Sequence, residues 1–191
     1  AGIVNQDGVI DGALAERSDR IVPSGRSFAY VPRRGEVTLQ ITQNDVRAIQ
    51  LAKAALYAGI RLLMERMGVE SVDRIRLAGA FGSHIDVKYA MILGMIPDCD
   101  LSRVGSAGNA AGTGARIPLL DYTSRAAIDE VVRKVEKLET AIEPRFQAHF
   151  VEAMAIPHKS APWPNLSKVV TLPEPKQSAA QTTTRGRRSR R

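Results

Sequence analysis

The 191-residue sequence predicts an α/β fold, and three observations carry that prediction. A long amphipathic helix pattern begins after Thr42. A short apolar strand pattern follows it and runs straight into glycines, LAGAFGSHID at residues 77–86. A second glycine–alanine segment, VGSAGNAAGTGARI at 104–117, comes about 20 residues later. Helix, strand, glycine turn and helix in alternation are the mark of α/β architecture. In such sheets ligands sit beyond the carboxyl ends of strands, against helix N-termini.

Taken in order, residues 1–40 read as short extended pieces broken by the turns QDG, SGR and RRG, with FAYV and VTLQIT as strands. Thr42 is an N-cap, with Asp45 three residues on in a capping-box-like arrangement. The helix it opens spans about 25 residues, with Val46, Ile49, Leu56, Ile60, Leu63 and Met67 on one face and Gly68 as its stop. The strand VDRIRLAGA follows, with Ile75 and Leu77 heading inward. Asp86 caps a short helix, DVKYAMIL, closed by Gly94. Segment 104–117 either enters a helix or packs closely on another backbone. A further helix over 124–140 has Ala127, Val131, Val135 and Leu138 as its stripe, and 146–156 is a final helix or strand. The domain reading is a strand- and turn-rich lead-in over 1–40, an α/β subdomain over 41–165 and a disordered basic tail over 171–191, because Pro, Gln, Ser, Thr and Arg bury too little apolar surface to order themselves.

Composition removes several function classes. The formal charge is +7, but five arginines lie in the last seven residues, and subtracting them leaves +2. Basicity belongs to the tail, so a nucleic-acid role for the folded part is not expected. One cysteine, Cys99, allows neither a disulfide framework nor a cysteine-ligated cluster within this chain, and it suits a cytoplasmic setting. No apolar run has the length of a membrane span. The start has neither an initiator methionine nor a secretion signal, and it reads as the start of a cut fragment.

Each candidate residue has a bland alternative. Gly79 and Gly82 either let a ligand approach bare backbone or merely permit a tight corner. His84 is either a ligand contact or a surface residue at a helix start. Asp98 and Asp100 either share a metal or line a solvated turn, and Cys99, between acidic neighbours, reads as structural. Gln50 and Lys53 on the long helix either reach a ribose or base or belong to a solvated face. GNAAGTGA fits neither the P-loop nor the spaced dinucleotide fingerprint.

The order of these motifs resembles the C-terminal half of the nucleotide-binding fold shared by actin, the heat-shock ATPases and the sugar kinases, a ribonuclease H-like architecture. LAGAFGSHI then corresponds to the adenosine motif and GNAAGTGA to the second connecting motif. A closer resemblance rests on four blocks: DVRAIQLAKAALYAGIRLL (45–63), RIRLAGAFGSHID (74–86), GMIPD (94–98) and GNAAGTGA (108–115). Together they resemble the ATP-dependent reductive activators of corrinoid proteins, over roughly residues 1–165. These are ferredoxin-like proteins with an N-terminal iron–sulfur domain and a C-terminal ATPase domain. The activators of 2-hydroxyacyl-CoA dehydratases are more distantly similar. Their pattern has a double glycine and an asparagine where this chain has Ala78, Gly79 and Ser83.

The resemblance implies that ATP helps drive an electron from an iron–sulfur cluster to cob(II)alamin, returning a corrinoid protein or cobalamin-dependent methyltransferase to cob(I)alamin. It carries over Gly79, Ala80, Phe81, Gly82 and Ser83 around the adenosine, and Gly108, Asn109, Gly112 and Gly114 at the second motif, with Gln50 and Lys53 as further base or ribose contacts. No catalytic residue or metal ligand falls in this chain. ATP or ADP with Mg, and the cluster, are expected of a full-length protein, because the phosphate motifs, acidic metal ligands and cysteine set precede this segment in the family. The fragment itself is expected to be inactive, and a homodimer is a further expectation. Two alternatives stand beside this reading: a portion of a sugar or carboxylate kinase of the same superfamily, and a non-enzymatic module whose arginine tail binds nucleic acid.

Overall fold

The structure, a computed structural model, describes residues 2–172. The arginine run of the tail lies outside the described residues. Extended pieces come first. β1 (Ile21–Ser24) and β2 (Ser27–Arg33) form a hairpin whose turn holds Gly25 at φ 60°, the left-handed geometry that glycine adopts without strain. β2 pairs on its other side with β3 (Leu39–Thr42), completing an antiparallel three-stranded sheet.

Thr42 then opens α1 (Gln43–Arg66). Its Oγ1 accepts from the Asp45 N–H at 3.2 Å, and the Asp45 carboxylate accepts from the Thr42 N–H at 2.8 Å, so both arms of the capping box are made. At the far end Gly68 takes φ 67°. The bonds Gly68 N–H to Glu65 O and Val69 N–H to Met64 O close the helix as a Schellman motif.

The buried face of α1 is not the one its apolar periodicity suggests. Ile49, Leu56, Leu63 and Met67 are all exposed, Leu63 at 52% and Met67 at 75%, whereas Val46, Gln50, Lys53, Ala54, Tyr57 and Leu62 are buried. Between Ala48 and Leu63 the exposed positions are all alanine, isoleucine or leucine, so α1 is apolar almost all round and its pattern could not choose a side. Hydrogen-bond demand chose it. Gln50 and Lys53 are drawn inward because buried carbonyls there need donors.

After α1 the chain forms β4 (Ile75–Ala78), α2 (Gly79–His84), α3 (Val87–Leu93), β5 (Val104–Gly108) and α4 (Ala110–Leu120). β4 and β5 pair in parallel, Ile75 opposite Val104 and Leu77 opposite Ser106. Two features depart from the sequence expectation. The glycine turn after β4 is itself a six-residue helix. The first half of the glycine–alanine segment is a strand, because pairing with β4 overrides the poor strand propensity of Gly-Ser-Ala-Gly. α3 matches its expectation: the Asp86 carboxylate caps Lys88 N–H and Tyr89 N–H, and Gly94 ends the helix at φ 73°.

α5 (Ser124–Lys134) stops short of the expected 140, and its stripe faces outward, with Val131 and Val135 exposed. Nothing but α4 packs closely against it among the described residues. α6 (Phe146–Ala153) resolves the helix-or-strand alternative and lies along α1. The main core joins Ala54 and Tyr57 of α1, Ala90 and Met91 of α3, Cys99, Val104, Ala153, Trp163 and Leu166. A smaller cluster of Ile10, Ile21 and Val46 seats the first sheet on α1.

Candidate functional site

The parallel pairing of β4 with β5 brings the two glycine motifs to one corner. A register shift after Leu77 sets Ala78 opposite Gly108, so α2 and α4 leave the sheet from adjacent strand ends. A chain of serines ties them. The Ser83 hydroxyl donates to Gly79 O at 3.2 Å, and Ser83 Oγ and Ser106 Oγ are 3.2 Å apart. The Gly108 N–H donates to Ser106 Oγ at 3.0 Å. With the Ser83 proton spent on Gly79, the Ser106 hydroxyl is the donor between the two serines. Asn109 caps α4, its Oδ1 accepting from the Gly112 N–H at 2.9 Å.

The glycines divide by what they do. Gly79 and Gly108 have φ 89° and 59°, and a Cβ built on either would meet open space. These two leave bare backbone facing outward at the strand ends. Gly82 instead fills a close contact: its Cβ would lie 2.7 Å from Leu77 O. Gly112 lies under the Asn109 side chain, 2.6 Å from a built Cβ. Gly114 is exposed on α4 with open space around it, and Ala80 is exposed on α2, which also contains the Phe81 backbone. His84 ends α2 on the surface. Ser106 is the member of the corner that the sequence reading missed, because nothing in VGSAG marked it as a strand.

Gln50 and Lys53 lie neither at the corner nor on a solvated face. Gln50 is 1% exposed, and its amide donates to Asp7 O at 3.1 Å and Met154 O at 2.7 Å. Lys53 is 2% exposed, its ammonium bonded to Ala155 O and, at 2.7 Å, to Pro157 O. With those atoms committed to main-chain carbonyls, neither side chain is available to a ribose or base. Burial pulls the Lys53 pKa down to about 8.

The acidic turn is structural. Asp98 accepts from Asn165 N–H, Asn165 Nδ2 and Leu166 N–H, each at 2.9 Å, and Asp100 caps Ser102 N–H. Burial raises the thiol pKa of Cys99, so it stays a thiol. Among the described residues no group of three or more His, Cys, Asp or Glu could hold a metal ion, and no helix is long and apolar enough to cross a membrane.

His158 is a buried titratable group the sequence reading did not single out. Its Nδ1 accepts from Ser160 N–H at 3.2 Å and Ala161 N–H at 3.0 Å, and burial lowers its pKa to about 4. The unfolded chain therefore binds a proton between about pH 6.5 and 4 that the folded chain refuses. Stability from the neutral ring is complete above about pH 6.5 and is lost as pH falls through that window. Discounted for solvent at the ring's open edge, the expected loss is about 1 kcal/mol. Urea unfolding at both ends of the window measures it, and His158→Asn, which keeps an acceptor but cannot titrate, is expected to remove it.

The sequence model describing the C-terminal domain of RACo, the ASKHA domain, matches residues 1–167. The chain belongs to this family. The ASKHA fold is that of the actin-like ATPases, so the α/β class and the superfamily expectation both hold for this RACo-type domain. The domain is 44% identical over 108 residues to the corrinoid activation enzyme RamQ of Eubacterium limosum, which covers 56% of this chain and 18% of RamQ. It also resembles a solved reductive activator for corrinoid, iron–sulfur protein, with a TM-score of 0.70 and 31% identity over 84% of this chain and 26% of that one. The RACo-type domain thus spans about a fifth to a quarter of the length of these relatives.

Proposed function

We propose that this domain supplies one wall of the nucleotide cleft in a protein that couples ATP to the reduction of cob(II)alamin to cob(I)alamin on a corrinoid protein partner. The observation that carries the reading is the serine-braced corner, where Gly79 and Gly108 offer unobstructed backbone at the ends of two parallel strands. The corner fits a nucleoside: a flat base or a ribose can approach the main chain where no Cβ intervenes. Gly79, Ala80, Ser83, Gly108 and Asn109 would line it, with Phe81 contributing through its place on α2. Gly82, braced on Leu77, and Gly112, under the Asn109 cap, hold its shape. When bound, ATP would supply the driving free energy, and these residues orient the nucleoside end.

The Mg ion and the iron–sulfur cluster of this reading would be held by other parts of a longer protein, to which the wide apolar face of α1 is suited as a packing surface. Brown, cluster-containing protein with corrinoid-stimulated ATPase activity is expected when this domain is expressed within a longer activator. A colourless product without corrinoid dependence overturns the reading, and a sugar- or carboxylate-dependent ATPase would favour the kinase alternative.

Within that longer protein, Gly79→Val and Gly108→Val are expected to weaken ADP binding about tenfold or more, through a strained positive φ and a Cβ in the ligand's path. Gly114→Ala is expected to leave it unchanged. Calorimetry checks all three. In the domain alone, millimolar or weaker ADP binding is expected, because one wall makes only part of the contacts.

A further inference from the structure

Between α1, α6 and the turn at residues 158–162 lies a hollow of about 400 Å³ that shares no residue with the glycine corner. Three of the groups lining it have hydrogen-bonding capacity that the protein does not use. Tyr57 is 4% exposed, and its hydroxyl has no protein partner among the described residues. His158 is 7% exposed. Both of its turn N–H bonds go to Nδ1, so the ring proton sits on Nε2, which has no acceptor among the described residues. Arg61, one turn after Tyr57 on the same face of α1, makes no ion pair or hydrogen bond among the described residues. The carboxylate four residues on, Glu65, is taken by Arg145 at 2.7 Å, with His149 Nε2 3.0 Å away.

We propose that this hollow is a binding site for a small oxyanion, a carboxylate or a phosphate group, held by the Arg61 guanidinium, the Tyr57 hydroxyl and the Nε2–H of His158. All three unspent groups are donors, which selects an acceptor-only ligand. Tyr57 and His158 are more than nine-tenths buried with ring centroids 5.0 Å apart, so the two neutral donors are fixed before any ligand arrives. Neither donor atom is among the buried atoms left without a partner, so both face the hollow itself, where a ligand oxygen can reach them. Three carboxylates face the hollow, and the charge of Glu152, which acts on the His158 ring, opposes an anion that the Arg61 guanidinium has to hold against it. Glu65 is neutralised by Arg145, Glu152 accepts from the Ser160 hydroxyl at 3.1 Å, and Glu70 is exposed at the rim.

Amide and imidazole NMR on the full 191-residue chain tests this at neutral pH and constant ionic strength, with inorganic phosphate and acetate as separate probes. Saturable shifts at the Ser160 and Ala161 amides and at His158 Nε2 are expected for at least one probe, with a dissociation constant of about millimolar. Saturation by acetate alone assigns a carboxylate ligand, and saturation by phosphate alone assigns a phosphoryl group. Tyr57→Phe, which deletes one oxygen, and Arg61→Gln, which breaks no hydrogen bond or ion pair among the described residues, are each expected to weaken binding about fivefold or more with an unchanged thermal midpoint. Shifts that stay linear with both probes, or variants that bind as tightly as the parent, overturn the proposal. ADP, read at the Gly79 and Gly108 amides, reports on the corner separately, so either site can fail without the other.

Discussion

Gly94→Ala is expected to cost more than about 3 kcal/mol of folding stability. Gly94 ends α3 at φ 73°, where an alanine costs about 1–2 kcal/mol for the left-handed conformation alone. A Cβ there would also lie 2.0 Å from Pro157 O, a backbone atom that cannot rotate away. That carbonyl is already fixed by the Lys53 ammonium at 2.7 Å, and Ile156 N–H is bonded to Gln6 O at 2.8 Å. Relief of the overlap therefore has to pull apart the junction of α1, α3 and the two ends of the described chain. Gly68→Ala is the control, with φ 67° but open space around its Cβ, and about 1 kcal/mol is expected for it. Urea unfolding of both variants makes the comparison, and equal losses would show that the Pro157 contact carries no energy.

The second large effect is a stability that rises with alkaline pH. Lys53 titrates at about 8 in the folded protein against 10.5 for an ordinary lysine, because its ammonium is removed from water. Between those values the unfolded chain binds the proton and the folded chain does not, so the unfolded state holds more protons and stability climbs with pH. The neutral amine still has two N–H groups, one for Ala155 O and one for Pro157 O, so deprotonation removes the desolvation cost without breaking either bond. An increase of about 1 kcal/mol is expected between about pH 8 and 9. Above that range the raised pKa values of Cys99 and Tyr57 act in the opposite direction, since the unfolded thiol and phenol ionise first. Lys53→Met is expected to abolish the rise while leaving two carbonyls without donors. A parent protein whose unfolding free energy is flat or falling over that window contradicts the assignment.

Both effects centre on a junction the sequence did not advertise. Gln6, Gln50, Lys53, Gly94, Met154 and Pro157 are scattered over some 150 positions, and no local pattern links them. Local chemistry was legible where it closes over a few residues. The Thr42–Asp45 capping box, the Gly68 stop, and α3 between Asp86 and Gly94 all follow from side chains that satisfy backbone groups three or four residues away. Strand β5 was not legible, because Gly-Ser-Ala-Gly becomes a strand only when β4 is beside it. The inward face of α1 was not legible either, since apolar residues surround it and two polar side chains settled the matter.

The candidate corner divides in the same way. Two glycine motifs at a strand end and a helix start could be seen in the sequence, and so could their order, which carries the family resemblance. That Gly79 and Gly108 are open, whereas Gly82 and Gly112 are packed, depends on which atoms lie within about 3 Å of each missing Cβ. By itself, then, the sequence determined the class of fold, the ends of α1 and α3 and the motifs of the corner, because these rest on contacts a few residues apart. Only the tertiary structure decided which face of α1 is buried, that Gln50 and Lys53 serve carbonyls rather than a ligand, and that Tyr57, Arg61 and His158 share one hollow. Those outcomes depend on hydrogen-bond partners up to a hundred residues distant, and a one-dimensional pattern does not encode them.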